Sequence, residues 1–314
     1  MTGPLRRAVG RAIRAEQAPA TPDEIERLLL AVGRTESRAV REGKYEGIAD
    51  AEFRIFSQFG EDGIIQFLIS RVPIENDTFI EFGVADYRES NTRFLVCNDN
   101  WRGLIMDGGT SHIDFVHNNP IGWRHHVDAR SAFITRENVN EVIADAGFKG
   151  DIGLLSVDID GNDYWVLDRL NVVSPRILIV EYNSTFGPTA AVTIPYDPSF
   201  NRTAAHGSNL YWGASLQALA LAAERLGHVF VGSNRAGNNA FFVRSDVVGD
   251  IEPVDVAAGW VDARFRESRD DDGNLTFIGS RQERLALISE MPVVDVRTGE
   301  TRTIHEAVSE PPGG

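Results

Sequence analysis

Three aspartates fall within six residues, at Asp158, Asp160 and Asp163, and Glu181 and Asn183 follow across one short helix-length segment. Each group ends a near-continuous apolar run, residues 152–157 and 176–180, of the kind that forms central parallel strands covered on both faces. Neighbouring parallel strands lie about 4.8 Å apart, so the two groups should meet at one sheet edge. Several oxygen donors there suit Mg2+, a hard cation, which would hold and acidify an acceptor hydroxyl. The plainer alternative is a solvated strand-to-helix loop in which Asn162 or Asp163 caps the helix. His206, in the run Ala205-His206-Gly207-Ser208-Asn209, is the alternative base. Tyr196, Tyr211 and Trp212 share its long loop and suit either stacking on a ring or anchoring the core.

A second set of acids precedes this one. Residues 78–82 read as a strand running into Glu81-Phe82-Gly83 and on to Asp86. A glycine at the carboxyl end of a first strand lets the backbone come close to a ligand. The Gly-x-Gly-x-x-Gly fingerprint that seats a pyrophosphate on a helix N-terminus is missing. A nucleoside carrying a sulfonium and an ammonium in place of phosphates favours carboxylate neighbours, and Glu81 and Asp86 meet that demand. Asp107 ends the next strand, 24 residues after Gly83, where nucleoside-binding α/β folds place a ribose-binding carboxylate. Asp128 and Ala129, read as ending a strand that begins at Trp123, are assigned to the adenine. Asp158 is assigned to the cofactor side of the aspartate cluster.

Strands and helices must alternate to bring these positions together. Helices are expected over residues 62–72, 90–98, 136–146, 164–170 and 214–226, and strands over 78–82, 103–106, 123–127, 152–157 and 176–180. Two further β runs, 229–233 and 240–244, flank an Asn- and Gly-rich connection that reads as a hairpin. The expectation is an α/β, Rossmann-like, doubly wound and mostly parallel sheet closed by an antiparallel β hairpin. Residues 1–50 read as an N-terminal helical arm, with Thr21 as cap, Pro22 at the first position and Gly33 as stop. Ile25, Leu28, Leu29 and Val32 supply its apolar stripe. Residues 51–250 form the main domain, and 251–314 a lid or tail.

The order of acidic-x-Gly, Asp after the second strand, Asp after the fourth and closing hairpin resembles class I methyltransferases that use S-adenosylmethionine (SAM). Ser57-Gln58-Phe59-Gly60-Glu61-Asp62-Gly63 and Val157-Asp158-Ile159-Asp160-Gly161-Asn162-Asp163 look similar to the FkbM-like branch, which modifies sugars and secondary metabolites. The likeness covers roughly residues 53–246. It implies SAM as methyl donor and, by analogy with metal-dependent sugar and catechol O-methyltransferases, Asp160, Glu181 and Asn183 as metal ligands with Asp163 as base. The chain departs from that pattern in two ways. Tyr182 separates Glu181 from Asn183, and an Asp stands where His or Lys is usual.

Composition narrows the partners. A formal net charge of −15 argues against phosphate-driven binding of nucleic acid. No apolar run approaches the ~20 residues a bilayer span needs, and Cys97 is the single cysteine, so no disulfide framework is expected. The expected setting is cytoplasmic and the expected acceptor a small polar molecule, with homo-oligomerisation through the N-terminal arm. Competing readings are a metal-independent N- or carboxyl-methyltransferase and a nucleoside-binding protein without catalysis.

Overall fold

The computed structural model describes residues 21–309. Five parallel strands form one side of the main sheet: β1 (Thr78–Phe82), β2 (Arg102–Asp107), β3 (Val127–Ser131), β4 (Gly150–Val157) and β5 (Val173–Glu181). A two-residue strand, β6 (Val192–Thr193), leaves the sheet, and a hairpin of β7 (His228–Ser233) and β8 (Asn239–Arg244) returns to it. The order is β3-β2-β1-β4-β5-β8-β7, and β8 runs antiparallel to both β5 and β7. The expected doubly wound sheet with an antiparallel closing hairpin is therefore present. Asn234 makes the hairpin turn: its Oδ1 accepts the N–H groups of Gly237, Asn238 and Asn239 at 3.0–3.1 Å.

Alternation along each strand divides the core in two. Ile80, Phe82, Leu104, Met106, Leu155, Val157, Leu178 and Val180 pack on one face, against the helices Val139–Asp145, Asp163–Arg169 and Leu216–Arg225. Phe79, Ile105, Leu154, Ile177 and Ile179 pack on the other, against helix Glu61–Arg71 and its neighbours. Successive side chains in a strand point to opposite faces, so one run of apolar residues serves both layers.

Several boundaries differ from the sequence reading. The N-terminal helix runs Pro22–Arg41, through Gly33, which lies against Phe94 and Ile55. Its capping box, Thr21 with Glu24, is as expected. The stripe of Ile25, Leu28, Leu29 and Val32 is exposed, and the helix instead buries Gly33, Ser37 and Val40. Ser37 Oγ donates to Gln66 Oε1 at 2.6 Å, so polar docking outweighs the apolar period here. The segment expected as helix over 90–98 becomes a π-helix, Leu95–Asp99, ended by Asn100 at φ +58°. Trp123 lies in a short helix, Pro120–Arg124, opened by Asn119 and Pro120, so β3 starts at Val127.

The described part of the C-terminal region, through residue 309, is folded. Strand β9 (Pro292–Asp295) pairs with both β6 and β10 (Thr301–Thr303) in a small second sheet, preceded in the chain by helix Arg281–Ile288. Among the described residues no helix is long and apolar enough to cross a membrane.

Candidate active site

The carboxyl ends of β4 and β5 deliver three acids to one point. Carboxylate oxygens of Asp158, Asp160 and Glu181 lie within 4.8 Å of one another. Glu181 is buried, and its Oε2 has no hydrogen-bond partner. Burial, then Asp160 and Asp163, push the Asp158 carboxyl up; burial, then Asp158 and Asp160, do the same to Glu181. The nearest compensating cation is Arg202, whose Nη1 donates to Asp160 Oδ1 at 2.8 Å. Its Nε holds Asn209 O at 2.8 Å, and its guanidinium stacks over Trp212 at 4.7 Å. Asp160 itself sits at φ +56°, a conformation uncommon outside glycine, and this turn lifts its carboxylate toward solvent.

The other assigned ligands point elsewhere. Asn183 is buried: its Nδ2 donates to the carbonyls of Leu210 and Trp212, and its Oδ1 accepts from Thr185 N. Its polar atoms bind backbone groups of Thr185, Leu210 and Trp212, and it is absent from the cavity wall that the acids line. Asp163 is fully buried, and its two oxygens accept Ile159 N at 2.9 Å and Gly161 N at 3.0 Å. It shapes the loop that carries Asp158 and Asp160 by holding N–H groups that precede helix Asp163–Arg169, so neither the helix-capping alternative nor the base assignment describes it. His206 Nδ1 is held by Ser208, and His206 is absent from the cavity wall that its neighbours Arg202, Thr203 and Asn209 line. Trp212 and Tyr211 are buried anchors, the latter donating to Pro292 O, and Tyr196 pairs with Glu137.

On the cofactor side the acids serve the backbone first. Glu81 Oε1 accepts Asn91 N at 2.8 Å; its Oε2 accepts Thr92 N at 3.0 Å and Thr92 Oγ1 at 2.5 Å. Glu81 thus fixes the loop after β1, and burial raises its carboxyl. Gly83, at φ +78°, is glycine because a Cβ would overlap the Asp158 carbonyl oxygen. The close approach it permits is between strand ends. Asp86 accepts Arg88 N in a tight turn. Asp107 Oδ2 accepts Ala85 N, while Oδ1 accepts Gly109 N and meets His112 Nδ1. A carboxylate has about four acceptor sites, so Asp107 keeps capacity for a further donor. Asp128 and Ala129 are misplaced in the sequence reading: β3 continues to Ser131, Asp128 pairs in register with Leu104, and its carboxylate holds Arg130. Asp128 lines a groove at the opposite, amino-terminal edge with Arg102, His126 and Lys149.

A cavity of about 960 Å³ opens over the acids. Asp158, Asp160 and Glu181 form one wall, and Gln58, Phe59, Phe133, Phe200, Arg202 and the segment 264–277 contribute the rest. Phe133 is half exposed and touches the space beside Gly108, next to Asp107. The sequence reading missed Phe133, Gln58, Phe59 and the 264–269 arginines. The one available signal was the run 57–63, whose acids build a clamp. Asp62 Oδ2 accepts the N–H groups of Ile55, Phe56 and Ser57, while Glu61 Oε2 accepts those of Phe59 and Gly60. That clamp presents Gln58 and Phe59 to the cavity.

No protein-family model and no curated protein matches the chain. Solved structures similar to it include M. capricolum TrmK in complex with S-adenosyl-homocysteine (SAH), at 9% identity and TM-score 0.33, over 54% of this chain and 62% of that one. The match thus spans about three fifths of the TrmK chain. The N-terminal domain of EvdMO1 with SAH bound gives 12% and 0.37, over 67% and 94%. A putative O-methyltransferase from Klebsiella pneumoniae gives 12% and 0.35, over 82% and 97%.

Proposed function

We propose that this chain is a SAM-dependent methyltransferase, of class I architecture and FkbM-like, acting on a hydroxyl of a sugar-bearing metabolite or glycan precursor with Mg2+ at its acid cluster. One observation carries the reading. A three-carboxylate group, in which Glu181 is buried with an unpartnered oxygen and Asp160 faces solvent, lies at the carboxyl edge of β4 and β5, in a cavity that also reaches Phe133 beside Asp107. Open α/β sheets bind ligands at this edge. Asp107 then takes a ribose hydroxyl with its spare acceptor site, and Phe133 offers a face to the adenine. In the reaction the acceptor oxygen bonds to the sulfonium methyl carbon, the sulfur–carbon pair stays on sulfur, and the hydroxyl proton passes to a base.

Asp158, Asp160 and Glu181 fit a hard cation: three oxygen donors, one of them orphaned and buried, against one arginine. Three negative charges and Arg202 leave −2, which a divalent ion balances. Mg2+ held there would supply Lewis acidity to an acceptor oxygen. The chain's own groups position the hydroxyl, exclude water through the 264–277 segment, and keep Asp160 tethered to Arg202. A second, metal-free reading is favoured by one observation: carboxylate oxygens of Asp158 and Glu181 lie within 4.8 Å of each other, and burial with repulsion from neighbouring acids raises the proton affinity of both. In that case the pair itself takes the acceptor proton.

Calorimetric titration with SAH tests the class. Binding is expected in the micromolar range, weakened about tenfold by Asp107→Ala, the size expected for a charge-assisted contact. Absence of SAH binding by the parent would sink the proposal. A Mg2+ titration that Glu181→Gln abolishes supports the metal, whereas heat-free titration of the parent leaves the metal-free form.

A further inference from the structure

The cavity has a basic side that the methyl-transfer chemistry does not use. In a chain of net charge −15, Arg264, Arg266 and Arg269 line its wall together with Arg202. Arg202 is committed to Asp160, and Arg269 donates to Gly273 O and sits 3.5 Å from Glu267. Arg264 and Arg266 are different. Among the described residues neither guanidinium makes a hydrogen bond or an ion pair; Arg266 lies 5.8 Å from the Phe277 ring, and Arg264 reaches Glu52 only through its field. Beside them the rings of Phe59 and Phe265, both on the cavity wall, stack at 5.7 Å and 19°.

We infer, resting on the transferase reading, that the acceptor carries a phosphate or diphosphate group held by Arg264 and Arg266. A guanidinium is a rigid fork of donors that matches phosphate oxygens in pairs. Two free forks two residues apart suit the spread charge of a diphosphate better than the single charge of a carboxylate. The cavity is polarised, with three carboxylates at the strand ends and guanidiniums on the 264–269 segment. A phosphate is repelled from Asp158 and Glu181 and drawn to the arginines. An acceptor with an anionic end and a hydroxyl end is thereby oriented with the hydroxyl toward the acids. A neutral sugar would leave both arginines without a role. The Phe59–Phe265 stack offers an apolar face to whatever ring lies between the two ends.

The test uses the full chain in EDTA, so that no metal–phosphate complex contributes, with pyrophosphate, inorganic phosphate and acetate as probes. Pyrophosphate is expected to bind at roughly millimolar concentration, and at least tenfold more weakly, about 1.4 kcal/mol, to the double variant Arg264→Ala/Arg266→Ala. Both residues are exposed, so the thermal midpoint should stay unchanged. Acetate should bind far more weakly than pyrophosphate. Equal pyrophosphate affinity in parent and double variant, no binding to either, or acetate binding as well as pyrophosphate would each overturn the inference. So would loss of SAH binding in the double variant, since the arginines would then hold the cofactor's carboxylate. If the parent fails to bind SAH, the transferase reading falls, while the pyrophosphate titration still decides whether an anion site exists.

Discussion

Two aspartates bracket β4, and their surroundings could hardly differ more. Asp151, near the start of the strand, accepts Arg176 Nε on both oxygens at 3.0 Å and Arg244 Nη1 at 2.7 Å. Arg176, only 6% exposed, also donates to Pro73 O and pairs with Glu75. Asp158, just past the other end, has Asp160, Asp163, Glu181 and Glu81 as its electrostatic neighbours. At one end the acid completes a network of opposite charges. At the other, like charges are crowded together at an evident cost to folding. Natural folds keep such conflicts chiefly where a ligand or a reaction resolves them. The amino-terminal edge of this sheet compensates its acid, and the carboxyl-terminal edge leaves its acids crowded.

The comparison breaks most visibly under charge removal. Glu181→Gln and Asp158→Asn should each lower methyl transfer by about 100-fold or more, the loss expected when a site's charge stabilisation of several kcal/mol is withdrawn. Neither should lower the thermal midpoint, because each relieves repulsion among buried acids. A variant that keeps full turnover, or that unfolds at markedly lower temperature, would place Asp158 in the same structural category as Asp151.

Asp151→Ala should do the converse. It takes the closest carboxylate from Arg176, a buried cation then left with Pro73 O and the exposed Glu75, and costs about 3 kcal/mol of stability, read as a shift of the urea midpoint. SAH affinity per folded molecule should not change, since Asp151 lies at the far edge of the sheet. A loss of SAH binding without a loss of stability would erase the distinction between the two ends.

How much of this the sequence disclosed follows from what each residue answers to. The sheet was legible because burial on both faces leaves an unbroken apolar run, as at Leu154–Leu155 and Ile177–Val180. Asp158, Asp160 and Glu181 were legible because strand ends fix where side chains converge. Asp163 and Asn183 carry the same donor atoms, and nothing in spacing separates an acid aimed into a cavity from one that caps its own loop. Here Gly161 N and the Leu210 carbonyl decide. The position of β3 was missed because Asn119-Pro120 starts a helix that hides the strand's beginning, and a shift of four residues moved Asp128 from one edge toward the other. The arginines at 264–269 come from a segment with no period at all. The stripe of Ile25, Leu28, Leu29 and Val32 misled because periodicity reports an apolar face but not whether that face is covered.

The subtlest difference is between Asp158 and Asp62, two acids whose proton affinity is raised in different surroundings. Asp62 lies at the head of helix Glu61–Arg71, where one oxygen accepts three backbone N–H groups and the Ser57 hydroxyl, all within 2.9 Å. Its other oxygen, Oδ1, is buried without a partner. Burial nevertheless pushes its carboxyl up to about 6, with the hydrogen bonds pulling the other way. An unfolded aspartate titrates near about 3.9. Over the window between those values the native chain holds a proton that the unfolded chain has released, so this contribution to stability is full below about pH 4 and is lost as pH rises toward 6. Asp62→Asn removes it. Because the asparagine amide still offers an oxygen to the same donors, the helix should persist. Urea midpoints measured across this window should therefore lose pH dependence, by at most about 1.4 kcal/mol per pH unit. The parent should be less stable at the upper end of the window relative to the variant than at the lower end. An unchanged slope would mean that Asp62 is already ionised in the native state. The four donors on Oδ2 would then outweigh burial, and Asp62 would belong with Asp151 among the acids that the fold fully compensates.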